Sequence, residues 1–388
     1  MDRRTALKSL GATVLGAPSI LSGRYRLFPW SAQEYSARAV RLVEESTVVD
    51  LLCQFRFPDY RDGEVTKDRL WLDAPSAFTE EDWARYRDSG VDALALGRGA
   101  SDYEDALRFF ARWNGFIASN GHRFARIDSA EDFQRVQQEG KVGVMLTFQN
   151  SEHFRGPDDV TEFYNLGQRL SQLTYNYQNM LGAGFLEHRD GGLTVFGGRI
   201  VERMNEVGMA VDVSHCGDRT TMDGIEASTG PVLFSHATCR ALLPGHLRCK
   251  TDEAIRAMAE TGGVMGIAFI RFMIHLEEPV TIEHALDHFD HVARLVGVEH
   301  VGIGSDMDIE GNASPLRAPD NPPTWDAPNF DRYQMHMNEQ GRESIAGLDH
   351  PKRVFDLTEG LIRRGYADAD IGLMLGGNFE RVLSEIWG

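Results

Sequence analysis

Short apolar runs recur along the chain, and most are followed by a stretch in which apolar residues return every three or four positions. The runs are nearly continuous rather than alternating, which is typical of strands buried on both faces of a parallel sheet. The stretches between them have the period of amphipathic helices. This pattern predicts eight strands, over residues 47–52, 91–96, 142–148, 172–176, 210–214, 231–235, 264–269 and 300–305.

The helices predicted between these strands carry recognisable start signals. Thr79 precedes a helical stretch with Asp82 three residues later, and Thr251 directly precedes two acidic residues. Threonine is a favourable N-cap, and an acidic side chain in the first turn suits the helix dipole. The predicted helices span residues 79–89, 102–120, 158–170, 197–207, 252–261 and 282–296.

The regular alternation of strands and helices predicts βα units with right-handed crossovers. Eight such units close most naturally into an α/β fold of the TIM-like (β/α)8 barrel type. A doubly wound open sheet is the alternative. That fold would place a glycine-rich phosphate turn after the first strand, and residues 51–54 contain no glycine.

We predict one barrel domain over residues 40–388, preceded by an export signal at residues 1–25. Arg3 and Arg4, followed by a mild apolar run, are typical of a bacterial twin-arginine signal, which would direct the protein to the periplasm or outside the cell. A cytoplasmic protein with a basic, disordered tail is the alternative. The proline-rich segment 311–347 follows the last strand, where barrel loops carry function, and is predicted to form a lid. Two closing helices are predicted at 352–364 and 368–387.

Composition narrows the choice of partners. The chain has 388 residues, 42% of them hydrophobic, and a formal net charge of -18, so it can bury a large core but repels phosphate backbones and anionic lipid. We therefore expect no nucleic-acid partner. The apolar run near the N-terminus is shorter than the ~20 residues that a membrane span needs, so no span is expected in the mature chain. The four cysteines form no C-x-x-C pair and are predicted to be lone buried thiols, although an oxidising compartment would also permit disulfides.

Polar residues end several of the predicted strands. His215 and His236 follow Ser214 and Ser235 at the ends of two consecutive strands, and Asp306 ends the eighth. In a barrel the carboxyl ends of the strands meet at one face, so these side chains can converge. Two histidines and one carboxylate leave an open position, which suits a catalytic Zn²⁺. A lone strand-end histidine is more often a hydrogen-bonded core residue, but paired Ser-His endings make coincidence a weaker explanation.

Two further groups have open interpretations. Asp212 lies within a strand and needs a partner, either as a structural hydrogen-bond acceptor or as a group that orients His215. His284, His288 and His291 share one helix face, but their helix belongs to the outer ring, so a solvated face is predicted rather than a metal site.

The chain also contains the motifs LTYN (173–176), RDGGLTVFG (189–197), VDVSH (211–215), FSH (234–236), GIGSDMD (302–308) and GGNF (376–379). At these residues the sequence resembles the membrane (renal-type) dipeptidase family of metallopeptidases, over nearly the whole chain after the signal. The resemblance implies a TIM-like barrel holding two zinc ions, in which a metal-bound hydroxide attacks a dipeptide. It implies that His215 and His236 bind the second zinc, that Asp306 handles the water's proton, and that Arg248 grips the substrate's terminal carboxylate. A solvated surface arginine is the alternative for Arg248.

The chain departs from the family pattern at the first zinc. Leu52 and Gln54 stand where the family has a histidine and an aspartate, and Gln149 matches the bridging glutamate. Tyr175 matches a histidine near the scissile carbonyl. A second dication would therefore lack both ligands and charge compensation.

The residues and the resemblance together predict at most one Zn²⁺ per chain. We expect His215 and His236 to bind it, with Asp306 acting directly or through water and Gln149 available as a neutral oxygen ligand. The first hypothesis is a single-zinc hydrolase of a dipeptide or another small amide. The second is a non-catalytic protein that binds a small carboxylate ligand. The third is a metal-free enzyme with Asp306 and Tyr175 as acid and base. The oligomeric state stays open, with a homodimer as one option.

Overall fold

Eight parallel strands close into a barrel in the computed structural model, which describes residues 23–27, 34–55, 67–309, 311 and 345–388. Each strand pairs in parallel with its neighbour in the chain, and the eighth pairs with the first through Ile303 and Asp50. The predicted TIM-like (β/α)8 barrel is confirmed. The strands are Val49–Gln54 (β1), Ala93–Leu96 (β2), Val142–Phe148 (β3), Gln168–Gln172 (β4), Ala210–Asp212 (β5), Val232–Ala237 (β6), Met265–Ile267 (β7) and Val301–Ile303 (β8).

The helices surround the barrel, and most begin where the sequence predicts. Thr79 and Asp82 form a capping box, and the hydroxyl of Thr251 accepts a hydrogen bond from the backbone N–H of Ala254. The helices span Ala37–Glu45 (α1), Lys67–Asp73 (α2), Glu80–Arg87 (α3), Tyr103–Ser119 (α4), Glu131–Glu139 (α5), Pro157–Leu166 (α6), Val195–Val207 (α7), Asp218–Ala227 (α8), Asp252–Glu260 (α9), Arg271–Ile274 (α10), Ile282–Val296 (α11), Arg353–Arg363 (α12), Asp368–Gly372 (α13) and Asn378–Trp387 (α14).

The predicted fourth strand was misplaced by four residues. Helix α6 ends at Leu166 because Gly167 adopts a left-handed backbone conformation (φ 107°), and β4 then begins at Gln168 rather than at residue 172. Every residue of β4 is buried although most are polar. The hydroxyls of Ser171 and Ser151 lie 2.8 Å apart, so hydrogen bonds inside the barrel replace the apolar contacts that the prediction relied on.

Within the described chain, further short strands lie outside the eight predicted ones. Phe124–Arg126 pairs with β3. Met307–Asp308, which follows β8 in the chain, pairs in parallel with β1. Arg24–Tyr25 pairs antiparallel with Tyr35–Ser36, which directly precedes α1. Among the described helices, none has the length and apolar character needed to cross a membrane.

Two predicted segments fall on residues whose structure is not described. Residues 1–22 of the predicted export signal (1–25) lie outside the described residues. So do residues 312–344 of the predicted lid (311–347). Both stay predictions. The predicted closing helix at 368–387 is divided by a kinked turn, Leu373–Gly377, between α13 and α14. The kink is explained by Gly376, where a Cβ atom would lie 2.1 Å from the carbonyl oxygen of Thr47.

Aromatic side chains pack beside the end of β1. Phe55 follows directly after β1, stacks on Tyr86 with ring centroids 4.5 Å apart, and meets Trp71 and Trp113 edge to face. Such rings bury a large apolar area and dominate core energetics. The four cysteines are buried and free, as predicted from their spacing, and lie at Cys53, Cys216, Cys239 and Cys249.

Candidate metal and substrate site

Two histidines meet at the carboxyl ends of β5 and β6. His215 follows β5 by three residues, and His236 is the penultimate residue of β6. Their Nε2 atoms lie 2.8 Å apart, and both side chains are buried. The fold therefore brings together the two residues that the sequence singled out as metal ligands.

Neighbouring polar groups orient both rings. The Nδ1 atom of His215 lies 2.7 Å from Oδ1 of Asn176, and Nδ1 of His236 lies 2.8 Å from the hydroxyl of Ser235. That hydroxyl lies 2.5 Å from a carboxylate oxygen of Asp212. Asp212 therefore reaches His236 through Ser235, and does not orient His215, which was one of the two interpretations of this residue.

Asp212 is also a structural acceptor. Its carboxylate accepts hydrogen bonds from the backbone N–H groups and the hydroxyls of both Ser214 and Ser235. Burial raises the pKa of this carboxyl group above its usual range, while the four donors act in the opposite direction. A carboxylate with four donors joins the ends of β5 and β6 firmly, because hydrogen bonds to charged groups are stronger than neutral ones.

Both imidazoles are held in the neutral form. Burial lowers the pKa of His215 and of His236 well below the ordinary value, and the positive charges of Arg248 and Lys250 lower both further. Lys250 is itself buried, and its Nζ atom donates to the carbonyl oxygens of Val213 (2.7 Å) and Cys216 (3.0 Å). Burial lowers the pKa of Lys250 to about 8. Neutral imidazoles have a free ring nitrogen, which is the form that binds a metal ion.

Arg248 is buried beside this pair rather than solvated. Its guanidinium donates to the carbonyl oxygen of Ser214 (2.5 Å) and to that of His236 (2.8 Å). Only 3% of the residue is exposed. The surface alternative for Arg248 is thus wrong, and the guanidinium lies next to the ends of β5 and β6.

Tyr175 packs against one of the two histidines. Its ring stacks on His215, with ring centroids 4.3 Å apart and planes at 25°. A phenol stays protonated at neutral pH and can donate a hydrogen bond. Phe185 approaches the same imidazole with a centroid distance of 6.0 Å, so His215 is enclosed by two aromatic rings.

Asp306 leaves β8 with an unusual backbone conformation. It is the one non-glycine residue of the described chain with a positive φ, 55°, a region that aspartate tolerates better than most residues. Its backbone N–H donates to the carbonyl oxygen of Leu52 (2.8 Å), which joins β8 to β1. Its Oδ1 atom accepts a hydrogen bond from the side-chain amide of Gln54 at 2.9 Å.

The residues at the end of β1 do not fit a metal ion. Leu52 is fully buried and apolar, and the amide of Gln54 is turned towards the carboxylate of Asp306. Gly97 gives the Gln54 side chain its room, since a Cβ there would lie 2.5 Å from Nε2. Among the described residues, no group of three or more His, Cys, Asp or Glu side chains is arranged to hold a metal. The end of β1 therefore offers one apolar side chain and one neutral amide, and no charged ligand.

Gln149 lies at the end of β3, and its described hydrogen bonds are made by its own backbone N–H and C=O groups. Its N–H donates to the carbonyl oxygen of Arg98, and its carbonyl oxygen accepts from the side-chain amide of Gln172. Gln149 is buried. Its side chain stays a predicted neutral ligand.

Sequence reasoning missed Asn176, the hydrogen-bonding role of Ser235, and Lys250. Asn176 lies after β4 in the motif that contains Tyr175, but no periodic pattern indicates that it would meet a histidine 39 residues later. Ser235 precedes His236 directly, and a serine before a strand-end histidine was the available signal.

The helix histidines were partly misjudged. His288 is fully buried rather than solvated: its Nδ1 accepts from the backbone N–H of Cys239 at 3.1 Å, and Nε2 lies 3.1 Å from the carbonyl oxygen of Ile274. Burial lowers its pKa to about 4. His288 thus joins α11 to the segment after β6 and to the last residue of α10, because its ring can donate and accept at once.

Comparison with known proteins gives a consistent picture. The family model described as "Membrane dipeptidase (Peptidase family M19)" matches residues 37–316. Dipeptidase tcpJ of Claviceps purpurea is 24% identical over 305 residues, covering 74% of this chain and 64% of that protein. Dipeptidase verJ of Clonostachys rogersoniana is 29% identical over 261 residues, covering 66% of this chain and 59% of that protein. The chain thus spans less than two thirds of the length of these curated relatives.

A solved structure extends the likeness to the fold. The crystal structure of an amidohydrolase from Pseudomonas aeruginosa has a TM-score of 0.75 at 26% identity, and the match covers 90% of this chain and 99% of that chain. The two chains therefore share the barrel fold over nearly their whole length.

Proposed function

Because the chain belongs to the membrane dipeptidase family, peptidase family M19, we propose that it is a metal-dependent hydrolase of dipeptides or other small amides that uses one metal ion rather than two. The observation that carries this proposal is the meeting of His215 and His236 with their Nε2 atoms 2.8 Å apart. Imidazole nitrogens suit Zn²⁺, which is the ion we expect.

The other site residues have proposed roles that depend on their positions. A divalent ion, when bound, would polarise a carbonyl group and make a water molecule more acidic. Asp306 is the carboxylate available to take up and return a proton, and the amide of Gln54 holds its Oδ1 atom. Tyr175, stacked on His215, can donate its phenolic proton to the oxygen of the scissile carbonyl.

Arg248 is proposed to bind the substrate's terminal carboxylate. Its guanidinium has five N–H donors, and hydrogen bonds to Ser214 and His236 account for two of its nitrogens. The carbonyl contacts hold the group in place, so that little side-chain entropy is lost when a carboxylate binds.

Charge balance supports a single ion. One dication facing the carboxylate of Asp306 leaves one net positive charge, whereas two would leave three in a site partly shielded from water. In the family arrangement, residues at positions 52, 54 and 149 would supply the additional ligands, but here they are Leu52, Gln54 and Gln149, all neutral.

Metal analysis of the full chain, purified without chelator, tests the proposal together with hydrolysis of alanyl dipeptides. We expect one zinc per chain and hydrolysis that a chelator abolishes. The variant carrying Leu52→His, Gln54→Asp and Gln149→Glu together should raise the stoichiometry towards two. Two zinc ions in the unmodified protein would overturn the single-metal proposal. Activity that survives chelation would favour metal-free chemistry by Asp306 and Tyr175.

A non-catalytic carboxylate-binding protein is the second candidate. It is favoured by the Gln54–Asp306 hydrogen bond, which engages the proposed proton acceptor with an amide. Calorimetric titration with dipeptides distinguishes the two. Binding without turnover in the zinc-loaded protein would favour the binder.

The sequence-based prediction of export is proposed separately. Fusing residues 1–25 to a reporter that is active only after twin-arginine export would test it. Loss of export on Arg3→Lys with Arg4→Lys is expected, and unchanged export would reject this route.

A further inference from the structure

We infer that Asn176 and the Asp212–Ser235 pair are positioning residues, which set the ring tautomers of His215 and His236 so that both Nε2 lone pairs point at one cation. The inference rests on the proposed function, since it assigns these two imidazoles to one metal ion. None of the three positioning residues was identified as a ligand, and each acts through a histidine.

The tautomer of His236 depends on a chain of donors and acceptors. The carboxylate of Asp212 accepts from four donors, so the Ser235 hydroxyl directs its proton at Asp212, 2.5 Å away. The same oxygen lies 2.8 Å from Nδ1 of His236 and can only accept there. Nδ1 must therefore carry the ring proton. The Nε2 atom of neutral His236 is left with a lone pair.

The tautomer of His215 depends on the amide of Asn176. Oδ1 of Asn176 lies 2.7 Å from Nδ1 of His215, and a carbonyl oxygen can only accept. The ring proton is then on Nδ1, and the lone pair is on Nε2. Both lone pairs now face each other across 2.8 Å. Two facing lone pairs repel unless a cation binds both, so this arrangement is the metal-binding form.

The amide of Asn176 also provides for the metal-free form. If the amide turns over, its NH₂ group donates to Nδ1 of His215, and the ring proton moves to Nε2. That proton can then be donated to the lone pair of His236, which closes a neutral hydrogen bond between the rings. Asn176 thus serves either state, whereas an aspartate at this position could only accept.

Four variants separate this role from simple structural support. Asn176→Asp keeps the shape, forces the metal-binding tautomer of His215, and should bind Zn²⁺ about tenfold more tightly. Asn176→Leu and Ser235→Ala each remove a partner of one imidazole and should weaken Zn²⁺ binding roughly 10- to 100-fold. Ser214→Ala is the matched control. Its hydroxyl donates to the same carboxylate, Asp212, at 2.5 Å and accepts from the backbone N–H of His236, but it bonds to no imidazole ring of the described residues.

Zinc affinity of the full chain is measured by competition with a chromophoric chelator, and ring tautomers by ¹⁵N chemical shifts of the histidines. We expect His236 to carry its ring proton on Nδ1 both with and without zinc. The ring proton of His215 should move from Nε2 to Nδ1 when zinc binds. If the wild type binds zinc and all four variants match it within about twofold, the positioning roles are overturned while the proposed function stands. If the wild type binds no zinc, the proposed function fails. The ¹⁵N shifts of the metal-free protein still decide the inference, since a proton on Nε2 of His236 overturns it.

Discussion

Two regions of the barrel bury an aspartate within a strand and surround it with serine donors, yet only one of them is followed by side chains that can bind a metal. On β5, Asp212 accepts from the backbone N–H groups and hydroxyls of Ser214 and Ser235. On β1, Asp50 accepts from the backbone N–H (2.8 Å) and hydroxyl (2.5 Å) of Ser305. Both carboxyl groups are fully buried, and burial raises the pKa of each above its usual range.

The difference lies in the side chains beyond each aspartate. After Asp212 come the two histidines, whose ring nitrogens are oriented towards one point. After Asp50 come Leu52 and Gln54, of which one is apolar and the other forms a hydrogen bond to Asp306. The carboxylate–serine arrangement therefore joins neighbouring strands whether or not ligands come after it. A buried aspartate with serine donors at a strand end therefore indicates that two strands are joined there. Only the side chains that follow the aspartate indicate whether a metal can bind.

Removing a histidine should have the largest effect on the β5–β6 region. His215→Ala and His236→Ala are each expected to lower zinc affinity by more than about a hundredfold, since even a partner outside the ligand sphere is worth 10- to 100-fold. Metal content after dialysis measures this. His291→Ala, which removes a half-buried ring on α11 paired with Asp252, is the control and should keep its metal. One zinc per chain in both histidine variants of the site would place the metal elsewhere.

Neutralising each aspartate should separate structure from metal binding. Asp212→Asn and Asp50→Asn are each expected to lower the free energy of unfolding by about 3 kcal/mol, because charged hydrogen bonds are worth ~1.5–3 kcal/mol and an amide cannot accept from every donor. Urea unfolding measures this loss. Only Asp212→Asn should also weaken zinc binding, since its partner Ser235 contacts His236. An equal loss of zinc affinity in both variants would contradict the difference between the two regions.

Arg248 tests whether the β5–β6 region also recognises the substrate. Arg248→Ala should weaken binding of ligands with a free α-carboxylate by ~1.5–3 kcal/mol, and binding of the corresponding amides much less. Calorimetric titration of acid and amide pairs measures the difference. Arg248→Lys keeps the positive charge but lacks the forked N–H donors of a guanidinium, so it should recover part of the lost affinity. Equal loss for acid and amide would mean that Arg248 supports only the strand ends.

Acid should destabilise the fold through His288, whose buried ring joins α11 to its neighbours. Burial lowers the pKa of His288 to about 4, so above pH ~6.5 the unfolded and folded states both leave this ring neutral, and its contribution is complete. As the pH falls from ~6.5 towards 4, the unfolded state takes up a proton that the folded state excludes, and stability decreases by up to ~1.4 kcal/mol per pH unit.

Urea unfolding of the wild type and of His288→Gln between pH 7 and pH 5 isolates this histidine from the others. The variant should lose about 2 kcal/mol less over this range, because it has no proton to take up. Parallel pH profiles for the two proteins would mean that His288 is not protonated on unfolding in this range.

The barrel and the residues at its mouth could be predicted from the amino-acid sequence. Strands buried on both faces need continuous apolar runs, and helices on one face need a period of three to four, so both leave a signal within a few residues. Helix starts at Thr79 and Thr251 depend on contacts three residues away and were predicted correctly. His215 and His236 were identified because parallel strands end at the same face, which is a consequence of topology alone.

How those residues are used depends on tertiary contacts that the sequence does not reveal. The polar strand β4 is buried because its side chains find partners inside the barrel, and polar satisfaction leaves no local pattern. Asn176 meets His215 across 39 positions, and Gln54 meets Asp306 across 252. Which nitrogen of an imidazole carries the proton depends on such distant donors and acceptors, and so does the partner of a buried arginine. These pairings exist only once the barrel has closed, because closure brings the strand ends within hydrogen-bond distance.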